Sequence, residues 1–133
     1  MLRISRALCE EIVAHCQREY PKEACGILAG EGGIVVQIYP MRNVEDSPIG
    51  YAMDPKEQLW LEKTMRQRGQ RMMGIYHSHT ASAAYPSPVD VRLAAFTEVS
   101  YVLVSLKHQE RPDIKSYRID GATITPEEVI VEG

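Results

Sequence analysis

Two histidines and one aspartate combine the residue types and the spacing of a metal site. His77 and His79 are two residues apart at the end of a stretch, residues 72–79, that is typical of a strand. Residues i and i+2 of a strand face the same side, so both imidazoles project from one face. Asp90 follows after ten intervening residues, in the predicted first turn of a helix. Two imidazoles and one carboxylate, with a fourth position left for water, are the ligands of a catalytic zinc ion.

Each of these residues also has a simpler explanation when it is considered alone. A pair of histidines at a strand end often binds nothing, because the short motif H-x-H arises readily by chance. Asp90 can be only an acid that complements a helix dipole, and Ser87 can be only a helix N-cap before Pro88. Glu23 can be a solvent-facing residue at a strand edge. The metal interpretation therefore depends on the sequence around the pair.

The surrounding sequence matches a signature of five positions. His77, Ser78, His79, Ser87 and Asp90 fit the pattern H-[ST]-H-x7-S-x2-D, which resembles the JAMM (MPN+) metalloproteases. The upstream segment reads P-x-E-x-C-G-x-L-x-G over residues 21–30, and it is similar to the segment in which that family places its catalytic glutamate. The resemblance runs from the first predicted helix to the strand at residues 101–106, and so it covers most of the chain.

The resemblance implies a role for each matching residue. His77, His79 and Asp90 would bind one zinc ion per chain. Glu23 would hold the zinc-bound water, act as general base and then protonate the leaving amine. Ser87 would donate a hydrogen bond to the oxyanion of the tetrahedral intermediate. The implied fold is similar to that of the cytidine deaminases, a curved mixed β-sheet flanked by about three helices.

The resemblance also implies a substrate class. A chain of 133 residues resembles the compact prokaryotic members rather than the eukaryotic deubiquitinases with their ubiquitin-gripping insertions. The implied activity is that of a zinc metallopeptidase or isopeptidase that cleaves an amide bond at the C-terminal tail of a ubiquitin-like sulfur-carrier protein. Thr80 stands where the family often has proline. No ligand is lost, so we expect zinc binding to persist and the effect to fall on loop rigidity and substrate fit.

Other functions are compatible with parts of this pattern. A non-catalytic MPN-type scaffold that binds proteins is the main alternative, although metal-free relatives of that kind usually lack ligands that this chain retains. A zinc nucleoside deaminase needs a P-C-x-x-C ligand pair, which the sequence does not contain. Iron oxygenases also use two histidines and one carboxylate, but they give no role to Glu23 or Ser87. The absence of H-E-x-x-H excludes thermolysin-like peptidases.

Length and composition are typical of one ordinary folded domain. Of the 133 residues, 44% are hydrophobic and 25% are charged, so we expect a single domain over residues 1–133. The resemblance implies that this is a JAMM/MPN domain. The net charge of −3 argues against a basic nucleic-acid-binding surface. No apolar stretch predicts a signal peptide or a membrane span. Three cysteines without a C-x-x-C pair predict a reducing compartment, the cytoplasm.

Helix and strand signals predict a layered α/β (α+β) fold. Ser5, Asp54 and Ser87 are N-cap candidates for helices over about residues 6–19, 55–68 and 88–97. Apolar and β-branched segments predict strands over residues 24–29, 34–39, 72–79, 101–106 and 114–119. The strand at 101–106 is apolar on both faces, so we expect it to be central. We expect His15 to lie on the surface of the first helix.

Overall fold

The chain folds into eight strands and three helices, and the computed structural model describes every residue from 1 to 133. The strands are β1 (Leu2–Ser5), β2 (Cys25–Glu31), β3 (Ile34–Met41), β4 (Arg71–His79), β5 (Ser100–Ser105), β6 (Asp113–Asp120), β7 (Thr123–Glu127) and β8 (Val129–Glu132). The helices are α1 (Arg6–Glu19), α2 (Pro55–Gln67) and α3 (Pro88–Leu93). This order confirms the mixed α+β class. None of the helices has the length and apolarity needed to cross a bilayer.

A six-stranded mixed sheet in the order β3-β2-β4-β5-β6-β7 organises the fold. β2 pairs antiparallel with β3 and β4, whereas β4 pairs parallel with β5. Parallel neighbours need a long crossover connection, and residues 80–99 supply it as a loop followed by α3. The crossover leaves β4 at His79, so α3 begins close to the strand end that carries the histidines. β5 is an inner strand, as its apolar sequence predicts.

Strand alternation divides the apolar side chains between the two faces of the sheet. Leu61 of α2 and Ile75 of β4 belong to the core on one face. Ile12 of α1 and Tyr76 of β4 belong to the core on the other face. The histidines of β4 therefore share the face that α2 covers, and Ser78 faces α1.

Helix α3 is shorter than its sequence predicts, because it ends at Leu93 instead of near residue 97. Ala94 takes extended backbone angles, φ −72° and ψ 100°, and this conformation stops the helix. The hydroxyl of Tyr101 then hydrogen-bonds with the N–H and the C=O of Phe96, at 3.0 and 2.9 Å. The Phe96 N–H and C=O are thus paired by a side chain and need no hydrogen bonds from a longer helix.

The two ends of the chain form a second, two-stranded sheet; the sequence predicts a short strand at the C-terminal end but not its pairing with the N-terminal one. β1 and β8 pair in parallel, with Leu2 opposite Val129 and Ser5 opposite Glu132. Leu2 and Ile4 are buried in the core on the α1 face. Each strand has only four residues, which is too short for an alternating pattern to stand out.

Candidate active site

The two histidines lie at the carboxyl end of β4, a strand with a neighbour on each side. His77 is 1% exposed and His79 is 5% exposed. Their ring centroids are 5.1 Å apart, so the two rings share one face of the sheet, as their spacing predicts. Because β4 is an inner strand, its ladder of backbone hydrogen bonds fixes the positions from which both rings project.

Asp90 reaches the histidines from the first turn of α3. The hydroxyl of Ser87 accepts a hydrogen bond from the Asp90 N–H at 3.1 Å, and the Asp90 carboxylate accepts one from the Ser87 N–H at 2.9 Å. The same carboxylate lies 2.9 Å from His79 Nε2 and 3.2 Å from His77 Nε2. The reciprocal cap therefore orients Asp90 toward both rings, and the three candidate ligand atoms all lie within 4.8 Å of one another.

Contacts behind the rings fix their orientation. His79 Nδ1 donates a hydrogen bond to the Ala83 carbonyl oxygen at 2.9 Å, and Nε2 of the same ring faces Asp90. Tyr51 stacks on His77 with ring centroids 4.5 Å apart. The hydrogen bond to Ala83 selects the tautomer of His79, and the stacking of Tyr51 restrains the ring plane of His77.

Charge is distributed unevenly over the three residues. Complete burial lowers the pKa of His77, which keeps that ring neutral. Burial opposes ionisation of Asp90, but its close contacts with His77 and His79 outweigh burial and hold the pKa of Asp90 well below its ordinary value. Burial likewise opposes the charged form of His79, but the contacts with Asp90 and Ala83 raise the pKa of His79 above its ordinary value of 6.5. A carboxylate thus lies between one neutral imidazole and one that protonates readily.

The cluster fits a divalent metal ion of the zinc type. Both ring nitrogens of His77 are buried without a hydrogen-bond partner, since the 3.2 Å approach of Nε2 to Asp90 lacks hydrogen-bond geometry. A buried polar atom without a partner costs about 1–3 kcal/mol, and coordination of a metal would remove that cost for one nitrogen. Two imidazoles and one carboxylate are also a donor set that zinc takes. His77, His79 and Asp90 are the residues that can hold the ion.

Glu23 lies beside this cluster, just before β2. Together with His79 and Ser87 it lines a groove of roughly 360 Å³. Glu23 is only 7% exposed. The alternative interpretation, a solvent-facing glutamate at a strand edge, is therefore wrong. Burial raises the pKa of Glu23 to about 7, an effect that His79 opposes and Asp90 reinforces. A carboxyl group with this pKa can both accept and release a proton near neutral pH.

Ser87 contributes a free hydroxyl proton to the same groove. Its oxygen accepts the capping hydrogen bond from the Asp90 N–H, and a hydroxyl can accept and donate at the same time. Capping and donation to a substrate are therefore compatible in one conformation. A larger surface groove, roughly 570 Å³, lies between α1, β6 and β8 and contains none of the predicted site residues.

Side chains from the sheet hold the loop of residues 80–86 that joins β4 to α3. Three successive carbonyl oxygens of the loop accept hydrogen bonds: Ser82 from the Ser105 hydroxyl at 2.6 Å, Ala83 from His79 at 2.9 Å and Ala84 from the Tyr117 hydroxyl at 2.6 Å. The Thr80 hydroxyl donates to the Pro48 carbonyl oxygen at 3.1 Å. Thr80 therefore adds a fixed contact at the position where the resemblance would favour proline.

Two residues outside the predicted set also position the site. The Ser78 hydroxyl accepts a hydrogen bond from the Ala24 N–H at 2.8 Å, and the Ala24 carbonyl oxygen accepts one from the Ser78 N–H at 3.1 Å. These bonds join the strand of the histidines to the residue that follows Glu23. Strand alternation places Ser78 on the opposite face from the histidines. The sequence could therefore have indicated that Ser78 contacts the protein core instead of the metal site. Tyr51 lies in a loop, and a loop has no periodic sequence pattern from which its contact with His77 could be predicted.

We expect the stabilisation that a bound metal confers to grow as the pH rises from roughly 5 to 8. In the metal-free protein, the raised pKa of His79 means that its contact with Asp90 stabilises the fold fully below pH 6.5 and is lost as the pH rises through the folded-state value. Metal binding requires deprotonated imidazoles, so it strengthens with pH. Thermal unfolding with and without zinc measures the difference in Tm; a difference that shrinks toward higher pH would contradict the expectation.

The chain is similar in sequence to known proteins over most of its length. The family model of prokaryotic homologs of the JAB domain matches residues 5–120. The CysO-cysteine peptidase of Mycobacterium tuberculosis is 43% identical over 133 residues, which cover 98% of this chain and 91% of that protein. A probable TtuB-protein conjugate cleaving protease of Thermus thermophilus is 39% identical over 104 residues, which cover 77% of this chain and 69% of that protein.

Solved structures share the fold. The solution structure of a protein from Desulfitobacterium hafniense matches with a TM-score of 0.90 and 39% identity, covering 99% of this chain and 93% of that one. The crystal structure of a JAB1/MPN domain protein from Archaeoglobus fulgidus matches with a TM-score of 0.68 and 19% identity, covering 98% and 97%. The second match extends the common fold to a chain of much lower sequence identity.

Proposed function

The chain belongs to the family of prokaryotic homologs of the JAB domain, and from that membership we propose that His77, His79 and Asp90 form the zinc centre of its active site. The enzyme is a JAMM-type hydrolase that acts on ubiquitin-like sulfur-carrier proteins, in line with relatives that are a CysO-cysteine peptidase and a probable TtuB-conjugate cleaving protease. The observation that carries the proposal is the convergence of three ligand atoms within 4.8 Å, beside the buried carboxyl of Glu23.

Zinc, one ion per chain, is the metal that we propose for this centre. When bound, zinc supplies Lewis-acid chemistry, since it lowers the pKa of water to about 7 and polarises a carbonyl group. The protein residues perform the remaining work. Their tasks are to hold the ligands in place, to move a proton and to stabilise the oxyanion.

Glu23 moves the proton in the proposed reaction. Its carboxylate takes a proton from the attacking water, whose oxygen forms a bond to the carbonyl carbon of the scissile amide. The same proton then passes from Glu23 to the amide nitrogen as the carbon–nitrogen bond breaks. The products are a tail that ends in a carboxylate and a free amine. Glu23 is buried and lines the same groove as His79 and Ser87, which places its carboxyl where it can accept and then release this proton within the site.

Ser87 stabilises the intermediate in this proposal. Its hydroxyl donates a hydrogen bond to the substrate oxygen on which negative charge develops. The Asp90 N–H holds the Ser87 oxygen, so the donor is already oriented before the substrate arrives. Preorganised donors of this kind account for much of the rate enhancement in acyl-transfer enzymes.

We further propose that residues 1–133 form one catalytic domain and that it works in the reducing environment of the cytoplasm. All three cysteines are free thiols, and Cys16 and Cys25 are buried. Proteins whose cysteines remain unpaired are typical of reducing compartments.

Cleavage of a defined conjugate tests the function. We expect the zinc-loaded protein to trim a ubiquitin-like carrier that ends in diglycine plus one further residue down to the diglycine end. Intact-mass spectrometry measures the loss of that residue, and a chelator should stop the reaction until zinc is restored. If a preparation with one zinc per chain cleaves none of a panel of carrier adducts, the hydrolase proposal is wrong. Binding of a carrier without cleavage would favour the MPN-type scaffold.

A further inference from the structure

Residues 43–52, which we call the wall loop, form one side of the active site. The Ser47 carbonyl oxygen accepts a hydrogen bond from the Glu23 N–H at 2.8 Å. Tyr51 stacks on His77 at 4.5 Å, and the Pro48 carbonyl oxygen accepts the hydrogen bond of the threonine after the second histidine. The wall loop therefore touches the proposed base, one proposed ligand and the loop between β4 and α3. Whatever fixes the shape of the wall loop also fixes these contacts.

A single side chain closes the wall loop. Asn43 Nδ2 donates to the carbonyl oxygens of Glu23 and Gly50, both at 3.0 Å. Asn43 Oδ1 accepts from the N–H groups of Glu45 and Ala52, at 3.0 and 3.1 Å. The two carbonyls and two N–H groups fix the orientation of the amide, and they use both of its donors and both acceptor sites. Asn43 is the only asparagine in the chain.

We propose that Asn43 is a positioning residue for Glu23, an inference that rests on the proposed function. Both backbone polar groups of Glu23 are held by the wall loop, its C=O by Asn43 and its N–H by Ser47. Asn43 also sets the shape of the segment that contains Ser47. Only an amide supplies two donors on one side and an acceptor on the other at this length, so neither aspartate nor alanine can replace it.

The expected consequence is on the chemical step rather than on substrate or metal binding. Asn43 makes no hydrogen bond to any of the three proposed ligands, and it is not among the residues that line the groove. If its amide no longer holds the backbone at Glu23, the carboxyl shifts relative to the ligand cluster. A misplacement of about 1 Å in a reacting group can cost on the order of 100-fold in rate.

Asn43→Asp is the informative variant, because it keeps the shape and replaces the two donors by an oxygen facing two carbonyls. With a diglycine-ended carrier bearing one extra residue as substrate, we expect kcat to fall by about 100-fold while KM stays within about threefold of the parent. We expect one zinc per chain by native mass spectrometry. Hydrogen exchange should show loss of protection at the Glu23 N–H. Asn43→Ala, which removes the donors without adding charge, should lower kcat in the same way.

Gln37→Glu is the matched control, since it makes the same change from amide to acid at a half-buried position on β3. The Gln37 side-chain oxygen accepts from Tyr39 and Gln70, and an acid retains those bonds. We expect its kcat to equal that of the parent.

Two outcomes would overturn the inference. One is a kcat within about twofold of the parent in both Asn43 variants. The other is loss of zinc or of folding in both, which would make Asn43 a purely structural residue. If the parent itself cleaves no conjugate, the proposed function fails instead, and protection of the Glu23 N–H alone then decides whether Asn43 holds that residue.

Discussion

Replacing Glu23 by glutamine should lower kcat by about 1,000-fold, within the range of roughly 10²–10⁴ that a positioned acid or base contributes. Glutamine has the size of glutamate and keeps the same backbone contacts, but its amide cannot accept the proton of the attacking water. Glu23 is not a ligand in the proposed centre, so the variant should still bind one zinc per chain. Steady-state kinetics on a carrier conjugate and native mass spectrometry measure the two effects separately.

The stability of the Glu23→Gln variant provides an independent check. A raised carboxyl pKa means that this group favours the fold fully below the ordinary value of 4.5 and loses that contribution as the pH rises through about 7. At pH 8 the buried carboxylate therefore opposes folding of the metal-free protein, and a neutral glutamine does not. We expect the Tm of the metal-free variant at pH 8 to equal or exceed that of the parent. Catalytic groups often carry such a stability cost.

Glu19→Gln is the appropriate control for the loss of one negative charge. Glu19 ends α1, its side chain is half exposed, and it faces His15 at 3.7 Å rather than the groove. Its replacement should leave turnover unchanged. Turnover of Glu23→Gln within about tenfold of the parent would assign the base to another residue.

The sequence predicts those parts of the site that depend on local geometry. The shared face of His77 and His79 follows from the two-residue period of a strand. The placement of Asp90 follows from its position in the first turn of a helix capped by Ser87, and the reciprocal cap is present. The parallel pairing of β4 with β5 then brings the two together. That pairing joins two distant segments, and local sequence patterns do not predict it.

Contacts between distant segments could not be predicted from local patterns. Glu23 is buried because Ser78 hydrogen-bonds with the Ala24 backbone and Asn43 of the wall loop hydrogen-bonds with the Glu23 carbonyl. Both partners are remote from Glu23 in sequence. The prediction that His15 lies on the surface was wrong for the same reason. His15 is 4% exposed, because the hydroxyl of Tyr76 reaches across from β4 to its Nδ1 at 2.7 Å. A helical pattern predicts which face of a helix is apolar, but it does not predict a polar partner that lies on a distant strand.

Replacing Asp90 by alanine should remove the metal and, with it, the activity. The two histidines alone leave an incomplete ligand set, and they lose the carboxylate that lies 2.9 and 3.2 Å from their Nε2 atoms. We expect zinc affinity to fall by about 1,000-fold, which corresponds to roughly 4 kcal/mol. At equal micromolar zinc, native mass spectrometry should find one zinc per chain in the parent and none in Asp90→Ala.

The variant also deletes half of the reciprocal cap of α3, so metal loss must be separated from helix loss. Asp54→Ala is the matched control, because Asp54 caps α2 through a bond from the Lys56 N–H at 2.8 Å and does not touch the site. Loss of such a cap costs about 1 kcal/mol, and zinc should stay bound. Zinc retained in Asp90→Ala would remove Asp90 from the ligand set. A parent that takes up no zinc would overturn the hydrolase mechanism itself, because the Glu23 base would then have no activated water from which to take a proton.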